Sequence, residues 1–167
     1  GVECLLKIIS KRRTSACLRR SCANSKLRNY RWYKRLMQPT LNDIAEIARK
    51  AGEILRAGFG QVHQIEFKGE IDLVTEIDHQ SEDYILSEMS KRFPEHRVFS
   101  EESGERAGSA DQVWYIDPLD GTLNYSHGLP IFAVSMAYAE AGKLKLGVVY
   151  DPIADEMYAA ERGHGAS

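Results

Sequence analysis

Apolar residues recur three and four apart across residues 41–59, placing Leu41, Ile44, Ala45, Ala48, Ala51, Ile54, Leu55 and Phe59 on one helical face. Thr40 and Asp43 have the Thr-x-x-Asp spacing of a helix start, and Gly58 and Gly60 mark its end. Val62, Ile65 and Phe67 then read as a strand near 62–68, closed by a Gly69-Glu70 turn. A second helix is predicted over residues 75–92. It opens with Thr75 and Asp78 as another Thr-x-x-Asp start, buries Ile77, Tyr84, Ile85, Leu86 and Met89, and stops at Phe93-Pro94. Short strands follow at 97–100 and 113–117. Beyond them the period becomes two. Residues 132–140, 143–150 and 156–161 form three strands, parted by Ala141-Gly142 and by Asp151-Pro152-Ile153-Ala154. Such spacing suits an antiparallel meander. Two helices packed on a largely antiparallel sheet make an α+β fold.

Charge divides the chain. The first 36 residues carry 11 Lys and Arg and one acid, Glu3; the rest carries 11 basic residues against 23 acids. Cys4, Cys17 and Cys22, the three cysteines, all lie in the basic part, without a zinc spacing. The boundary falls near Met37-Gln38-Pro39, giving a leader at 1–36 and a domain at 37–167. The leader reads as a transit peptide, as a basic arm, or as non-native sequence upstream of a start at Met37. The last is preferred, because the recognisable pattern begins just after that methionine. The domain has no cysteine, no apolar run of membrane-spanning length and no secretory signal, and reads as soluble and cytoplasmic. Neither nucleic acid nor membrane is an expected partner.

The densest chemistry lies at Asp117-Pro118-Leu119-Asp120-Gly121-Thr122, directly behind the apolar run Val113-Trp114-Tyr115-Ile116, with Glu101-Glu102 upstream. Asp-Pro and Asp-Gly both favour turns, so a plain reversal is one reading. A haloacid-dehalogenase box is excluded, since its nucleophilic aspartate would fall at 118, which is proline. Four carboxylates converging without a counter-ion would repel one another, which calls for a divalent cation. Carboxylate oxygens select Mg²⁺, with Mn²⁺ able to substitute, over zinc. On this reading Asp117, at a strand end with both oxygens free, bridges two metals; Asp120 serves the second and Glu101 completes the first. The histidines at 63, 79, 96, 127 and 164 show no ligand spacing and read as surface or loop residues.

These segments together resemble the inositol monophosphatase family. Glu101-Glu102-Ser103-Gly104 and Trp114 through Tyr125 match its Glu-Glu pair and its Asp-Pro-Ile/Leu-Asp-Gly-Thr-x-Asn signature. Lys68 with Asp72-Leu73-Val74-Thr75-Glu76-Ile77-Asp78, Pro130 through Ser135, and Gly147-Val148-Val149-Tyr150 match in order and spacing. The resemblance covers roughly residues 41–167. It implies the amino-terminal part of a layered αβαβα fold and a Mg²⁺-dependent phosphomonoesterase, a hydrolase in which a metal-activated water attacks a phosphate ester. It adds the Leu119 carbonyl to the metal ligands Glu101, Asp117 and Asp120. Glu101 and Thr122 would activate the water, with Asp78 accepting from Thr122. Leu119, Asp120, Gly121 and Thr122 would hold the phosphate, with the Gly121 and Thr122 amides facing it if a helix opens there. Lys68 would balance the carboxylates and Glu102 support the outer shell.

Leu123-Asn124-Tyr125 points within the family to inositol-1-phosphate or a similar polyol or sugar phosphate. Fructose-1,6-bisphosphatase and histidinol-phosphatase activities share the Thr-x-Asn form and stay open. The family's Trp-Asp-x-Ala segment, which supplies a further carboxylate, is absent from the 167 residues. The chain therefore reads as an amino-terminal half, truncated at the C-terminus, of an enzyme expected to be a homodimer when complete. Its alternative is a metal-binding fragment without turnover. Because the leader differs in charge, cysteine content and apolar period, deleting residues 1–36 should leave the melting temperature and metal binding unchanged. A calorimetric melt of the shortened chain checks this.

Overall fold

The structure, a computed structural model, describes residues 38–59 and 70–167. The chain divides into Gly1–Gln38 and Pro39–Ser167, and every element below belongs to the second unit. In order these are α1 (Leu41–Phe59), α2 (Glu70–Arg92), β1 (His96–Ser100), β2 (Gly104–Arg106), β3 (Ser109–Asp120), α3 (Thr122–Ser126), β4 (Ala133–Glu140), β5 (Lys143–Asp151), β6 (Glu156–Glu161) and β7 (Gly165–Ala166). The leader, the strand expected at 62–68, His63 and Lys68 lie outside the described residues.

Helix α1 starts as its sequence requires. Thr40 N donates to Asp43 Oδ2 at 2.9 Å and Asp43 N donates back to Thr40 Oγ1 at 3.2 Å, a reciprocal cap. Ile44, Ile47, Ala48, Ala51 and Leu55 are fully buried. Ile47 joins the expected face and Ile54 is only half-buried, because α1 is squeezed between α2 and the β4–β6 part of the sheet. Helix α2 begins at Glu70, upstream of the expected start. The Thr75/Asp78 cap is thus corrected: helical bonding already runs through Thr75, so Asp78 is interior; of the expected Gly69-Glu70 turn, Glu70 is helical and Gly69 lies outside the described residues. Its buried stripe is Ile77, Ser81, Ile85 and Met89, flanked by Asp78 and Glu82, while Tyr84 and Leu86 are only partly covered. The stripe is polar where α2 approaches the candidate site and apolar beyond it.

Among the described residues one seven-stranded sheet has the order β2-β1-β3-β4-β5-β6-β7. Only β1 and β3 run parallel; the other neighbours are antiparallel. The meander falls where period-two patterning placed it. Ala141 and Gly142 turn β4 into β5 with φ of 49° and 71°, the paired left-handed residues of a tight hairpin. Strand β3 extends three residues past the expected end at 117, to Asp120.

Both long helices cover one face of this sheet, where Trp114, Ile116, Val134, Met136, Tyr138, Val148 and Tyr150 are buried with Ile44, Leu55, Ile85 and Met89. His96 belongs to this core, which corrects its surface assignment. Its Nδ1 accepts from Trp114 Nε1 at 3.0 Å, and its ring stacks on Phe93 and Tyr138. Burial lowers its pKa to about 4, so it is a neutral acceptor that lets the indole N–H sit inside. The opposite face is open, with Phe99 stacked on Tyr115 and with Tyr115, Val149 and Tyr158 exposed.

Gly52 sets the distance between α1 and β5. A Cβ there would lie 2.6 Å from two Tyr150 ring carbons and 3.1 Å from Pro152 Cβ. Tyr150 cannot retreat, since its ring is buried and its hydroxyl donates to Asp155 Oδ1 at 2.8 Å. Gly52→Ala should therefore destabilise by about 1–3 kcal/mol, despite a helix-propensity gain near 1 kcal/mol. Urea unfolding of the two proteins measures the difference.

Candidate active site

Three chain segments meet at the upper ends of β1 and β3. Strand β1 delivers Glu101 and Glu102 onto the turn that leads to β2. Glu101 N donates to Ile116 O at 3.1 Å, extending the parallel ladder by one bond, and both glutamates are exposed. Strand β3 supplies Asp117, Leu119 and Asp120. Its pairing with β4 slips between Asp117, opposite Ser135, and Asp120, opposite Ala133. Proline explains the slip, for Pro118 has no N–H to give the ladder. Helix α2 supplies Asp78, only 4% exposed.

Local bonds shape the slipped segment. Leu119 N donates to Asp117 Oδ1 at 3.2 Å. Asp117 is therefore neither at the strand's last position nor free at both oxygens, as the sequence suggested: the strand continues, and one oxygen folds back on the chain. Gly121 follows at φ 95°, a left-handed conformation that a glycine adopts without a Cβ penalty, and α3 begins at Thr122. So a helix does open here, though of only five residues. The Thr122 hydroxyl donates to Leu119 O at 3.0 Å. This corrects the expected Thr122-to-Asp78 bond: a threonine satisfies the carbonyl three residues back before a remote carboxylate. Asn124 Nδ2 donates to Ile131 O at 2.9 Å, and Tyr125 OH donates to Leu55 O at 2.8 Å, fixing α3 to the core.

The electrostatics are those of crowded acids. Asp117 has its pKa raised, first by burial, then by the hydrogen bond and charge of Glu101 and the charge of Asp120. Burial also pushes Asp78 up to about 7, helped by Glu102, Glu82 and Glu101. Asp78 Oδ1 is buried without a hydrogen-bond partner, an orphaned acceptor aimed among carboxylates. Glu101 and Asp117 meet and Asp120 adjoins them, but no three His, Cys, Asp or Glu side chains among the described residues form a ready-made metal cage. The donor set is hard oxygen throughout. An orphaned acid and a pair of facing carboxyls are what a divalent cation would relieve, so the residues fit Mg²⁺ or Mn²⁺. A shallow depression of about 330 Å³ adjoins them on the open sheet face, lined by Phe99, Glu101, Tyr115, Asp117, Ser135 and Ala137.

Two polar residues escaped the sequence reading. Ser81, fully buried, donates to Pro118 O at 3.1 Å. Glu82, 3% exposed, accepts from Ser103 N at 3.0 Å and from Ser103 Oγ at 2.9 Å. Their signal was present: Ile77, Ser81, Ile85 and Met89 are spaced by four, which puts Ser81 on the buried face and Glu82 beside it.

The raised acids make a pH prediction. For Asp78 the folded pKa of about 7 exceeds the ordinary 3.8. Its contribution is therefore fully present below pH 3.8 and lost as pH rises towards about 7. Without divalent cations, Asp78→Asn should melt higher than the wild type, by a margin that opens above about pH 4, widens to about pH 7 and then stays constant. Calorimetry across that range in chelator measures it.

No helix among the described residues is long and apolar enough to cross a membrane. The profile of the inositol monophosphatase family matches residues 36–167. Inositol monophosphatase 3 of Solanum lycopersicum is 43% identical over 129 residues, covering 74% of this chain and 48% of that protein. The fructose-1,6-bisphosphatase/inositol-1-monophosphatase of Thermotoga maritima is 44% identical over 122 residues, covering 72% of this chain and 47% of its own length. Among solved structures, the extragenic suppressor protein suhB of Bartonella henselae is similar at 40% identity and a TM-score of 0.68, over 75% of this chain and 49% of that one. The chain spans about half the length of the relatives it matches. Its helices on a mixed, largely antiparallel sheet share their fold with those structures, and the protein belongs to the inositol monophosphatase family.

Proposed function

We propose that these residues form the metal-bearing half of a Mg²⁺-dependent phosphomonoesterase site acting on inositol-1-phosphate or a similar polyol or sugar phosphate. The observation that carries the reading is the facing pair Glu101 and Asp117, with Asp120 beside it, next to a buried Asp78 that has an unpartnered oxygen. Glu101, Asp117, Asp120 and the Leu119 carbonyl would hold the cations. When bound, these supply acidification of water and neutralisation of charge on the leaving oxygen, the two needs of a very slow hydrolysis.

The chain's own residues do the rest. Glu101 would take the proton of an attacking water, and the Thr122 hydroxyl, turning from Leu119 O, would orient that water. Asp78, which burial and neighbouring glutamates make harder to ionise until a cation binds, would serve the same network. Asp120, Gly121 and Thr122 would border the space for phosphate, and Gly121 lets the chain turn there at positive φ close against Ile131 O, 3.0 Å from where a Cβ would stand. Lys68 is assigned to charge balance and Glu102 to the outer shell, on the resemblance. Family membership likewise supports a cytoplasmic homodimer, and size in solution checks the second. The name of the Thermotoga maritima relative keeps fructose-1,6-bisphosphate open as a substrate.

Calorimetric titration of Mn²⁺ into the 167-residue protein, together with phosphate release at saturating Mg²⁺, tests the reading. Asp117→Asn should weaken Mn²⁺ binding at least about tenfold. Release should be slow but measurable, faster from inositol-1-phosphate than from fructose 1,6-bisphosphate or histidinol phosphate. Thr122→Ala should lower kcat by about 10²–10³-fold with a smaller change in KM. Equal Mn²⁺ affinity in wild type and Asp117→Asn would refute the metal assignment. Intact binding without any release would favour a metal-binding fragment.

A further inference from the structure

We propose that Glu82 is a positioning residue of this site: through Ser103 it fixes the turn that presents Glu101. The inference rests on the metal-site reading above and goes beyond it, since Glu82 is not among the cation ligands proposed there.

Glu101 is one residue past the end of β1, at the last bond of its ladder with β3. On its amino side the backbone is held by Glu101 N donating to Ile116 O at 3.1 Å. On its carboxyl side, the tie that follows it is Ser103, whose N–H and hydroxyl both donate to Glu82 Oε1, at 3.0 and 2.9 Å. Glu101 and Glu102 are exposed between these two anchors. Glu82 itself is 3% exposed, and among the described residues its short contacts go to Ser103; His79 Nδ1 lies 4.0 Å from the other oxygen. A carboxylate taken out of water is expensive, and an apolar residue of similar size would serve stability as well. Two bonds from one residue to one oxygen define a direction as well as an energy.

The rest of α2 has the same character. Over a single turn, Asp78 enters the carboxylate cluster, Ser81 ties Pro118 O, and Glu82 ties Ser103. These three residues, at i, i+3 and i+4, form one face of a rigid helix. Thus one helix turn sets the position of both metal-bearing segments, the turn carrying Glu101 and the slipped strand carrying Asp117. Metal affinity depends on ligands being held before the cation arrives, and loss of such outer supports typically costs about 10–100-fold.

The test compares Glu82→Ala, Glu82→Gln and Ser103→Ala in the 167-residue protein, by Mn²⁺ calorimetry well below each melting temperature, with Asp117→Asn as reference. Glu82→Gln retains the accepting oxygen, and Ser103→Ala changes an exposed residue that leaves the core intact. The expected result is a dissociation constant raised about tenfold in Glu82→Ala, within about twofold of wild type in Glu82→Gln, and intermediate in Ser103→Ala. Hydrogen exchange at the Ser103 amide should quicken in Glu82→Ala and not in Glu82→Gln. A lower melting temperature with unchanged Mn²⁺ affinity in Glu82→Ala and Ser103→Ala would overturn the proposal, since the contact would then be purely structural. Glu82→Gln as weak as Glu82→Ala would also overturn it, because charge and not hydrogen-bond geometry would be acting. If Asp117→Asn binds Mn²⁺ as the wild type does, it is the metal-site reading that fails. If Asp117→Asn loses affinity while the Glu82 and Ser103 variants keep it, only the positioning role falls.

Discussion

Pro118 sits inside a sheet strand, and the site is organised around the hydrogen bond that it cannot make. A proline in the middle of a strand leaves a carbonyl, and its neighbours' polar groups, in need of other partners. Each is found nearby. Ser81 donates to Pro118 O, Asp117 Oδ1 accepts from Leu119 N, and the Thr122 hydroxyl donates to Leu119 O. The register of β3 on β4 slips across this segment and recovers at Asp120. The consequence is that two acids and a carbonyl are presented at a strand's end by bonds that also tie the strand to α2 and to α3. The same break that weakens the ladder makes the surface available for chemistry.

Around that break, carboxylates are concentrated at a cost to stability. Asp78 and Asp117 both have raised pKa values, with burial the largest cause and neighbouring acids the next. A fold selected for stability alone would place apolar side chains there. The cost is offset by the rest of the domain. Helices α1 and α2 cover one sheet face with a continuous apolar core, and Arg92 of α2 ties them through Glu46 and Asp43 of α1, at 2.9 and 3.6 Å. His96 stays neutral inside this core and satisfies the Trp114 N–H, so the strand that bears the site is anchored behind it.

The elements most legible in the sequence were those set by local rules. The Thr40/Asp43 cap, the period-two strands of the meander and the left-handed Ala141-Gly142 turn each follow from a few adjacent residues, and the structure contains all three. The chemistry of the Asp117–Thr122 segment was legible for a related reason. Proline, glycine and two aspartates in that order constrain the backbone and the ligand type at once, and the family match of residues 36–167 agrees with the motif. The start of α2 was misplaced because a Thr-x-x-Asp spacing marks a cap only where helical bonding begins, and here it had begun upstream.

What required the tertiary structure was every relation between distant residues. Local pattern determines that Glu82 lies one position from a buried stripe, but only the approach of α2 to the β1–β2 turn makes it the acceptor for Ser103. His96 shows no distinguishing neighbour in sequence, and its burial depends on Phe93, Trp114 and Tyr138 closing round it. The raised pKa of Asp78 likewise arises first from burial under the packed elements, then from Glu102, Glu82 and Glu101, of which Glu102 and Glu101 lie on another segment. The amino-acid sequence by itself determined which residue types could hold a cation and which segments were helix or strand, because those depend on side-chain chemistry and short-range periodicity. The tertiary structure decided which oxygens face one another and which are tied back, because burial and charge interaction act through space and not along the chain.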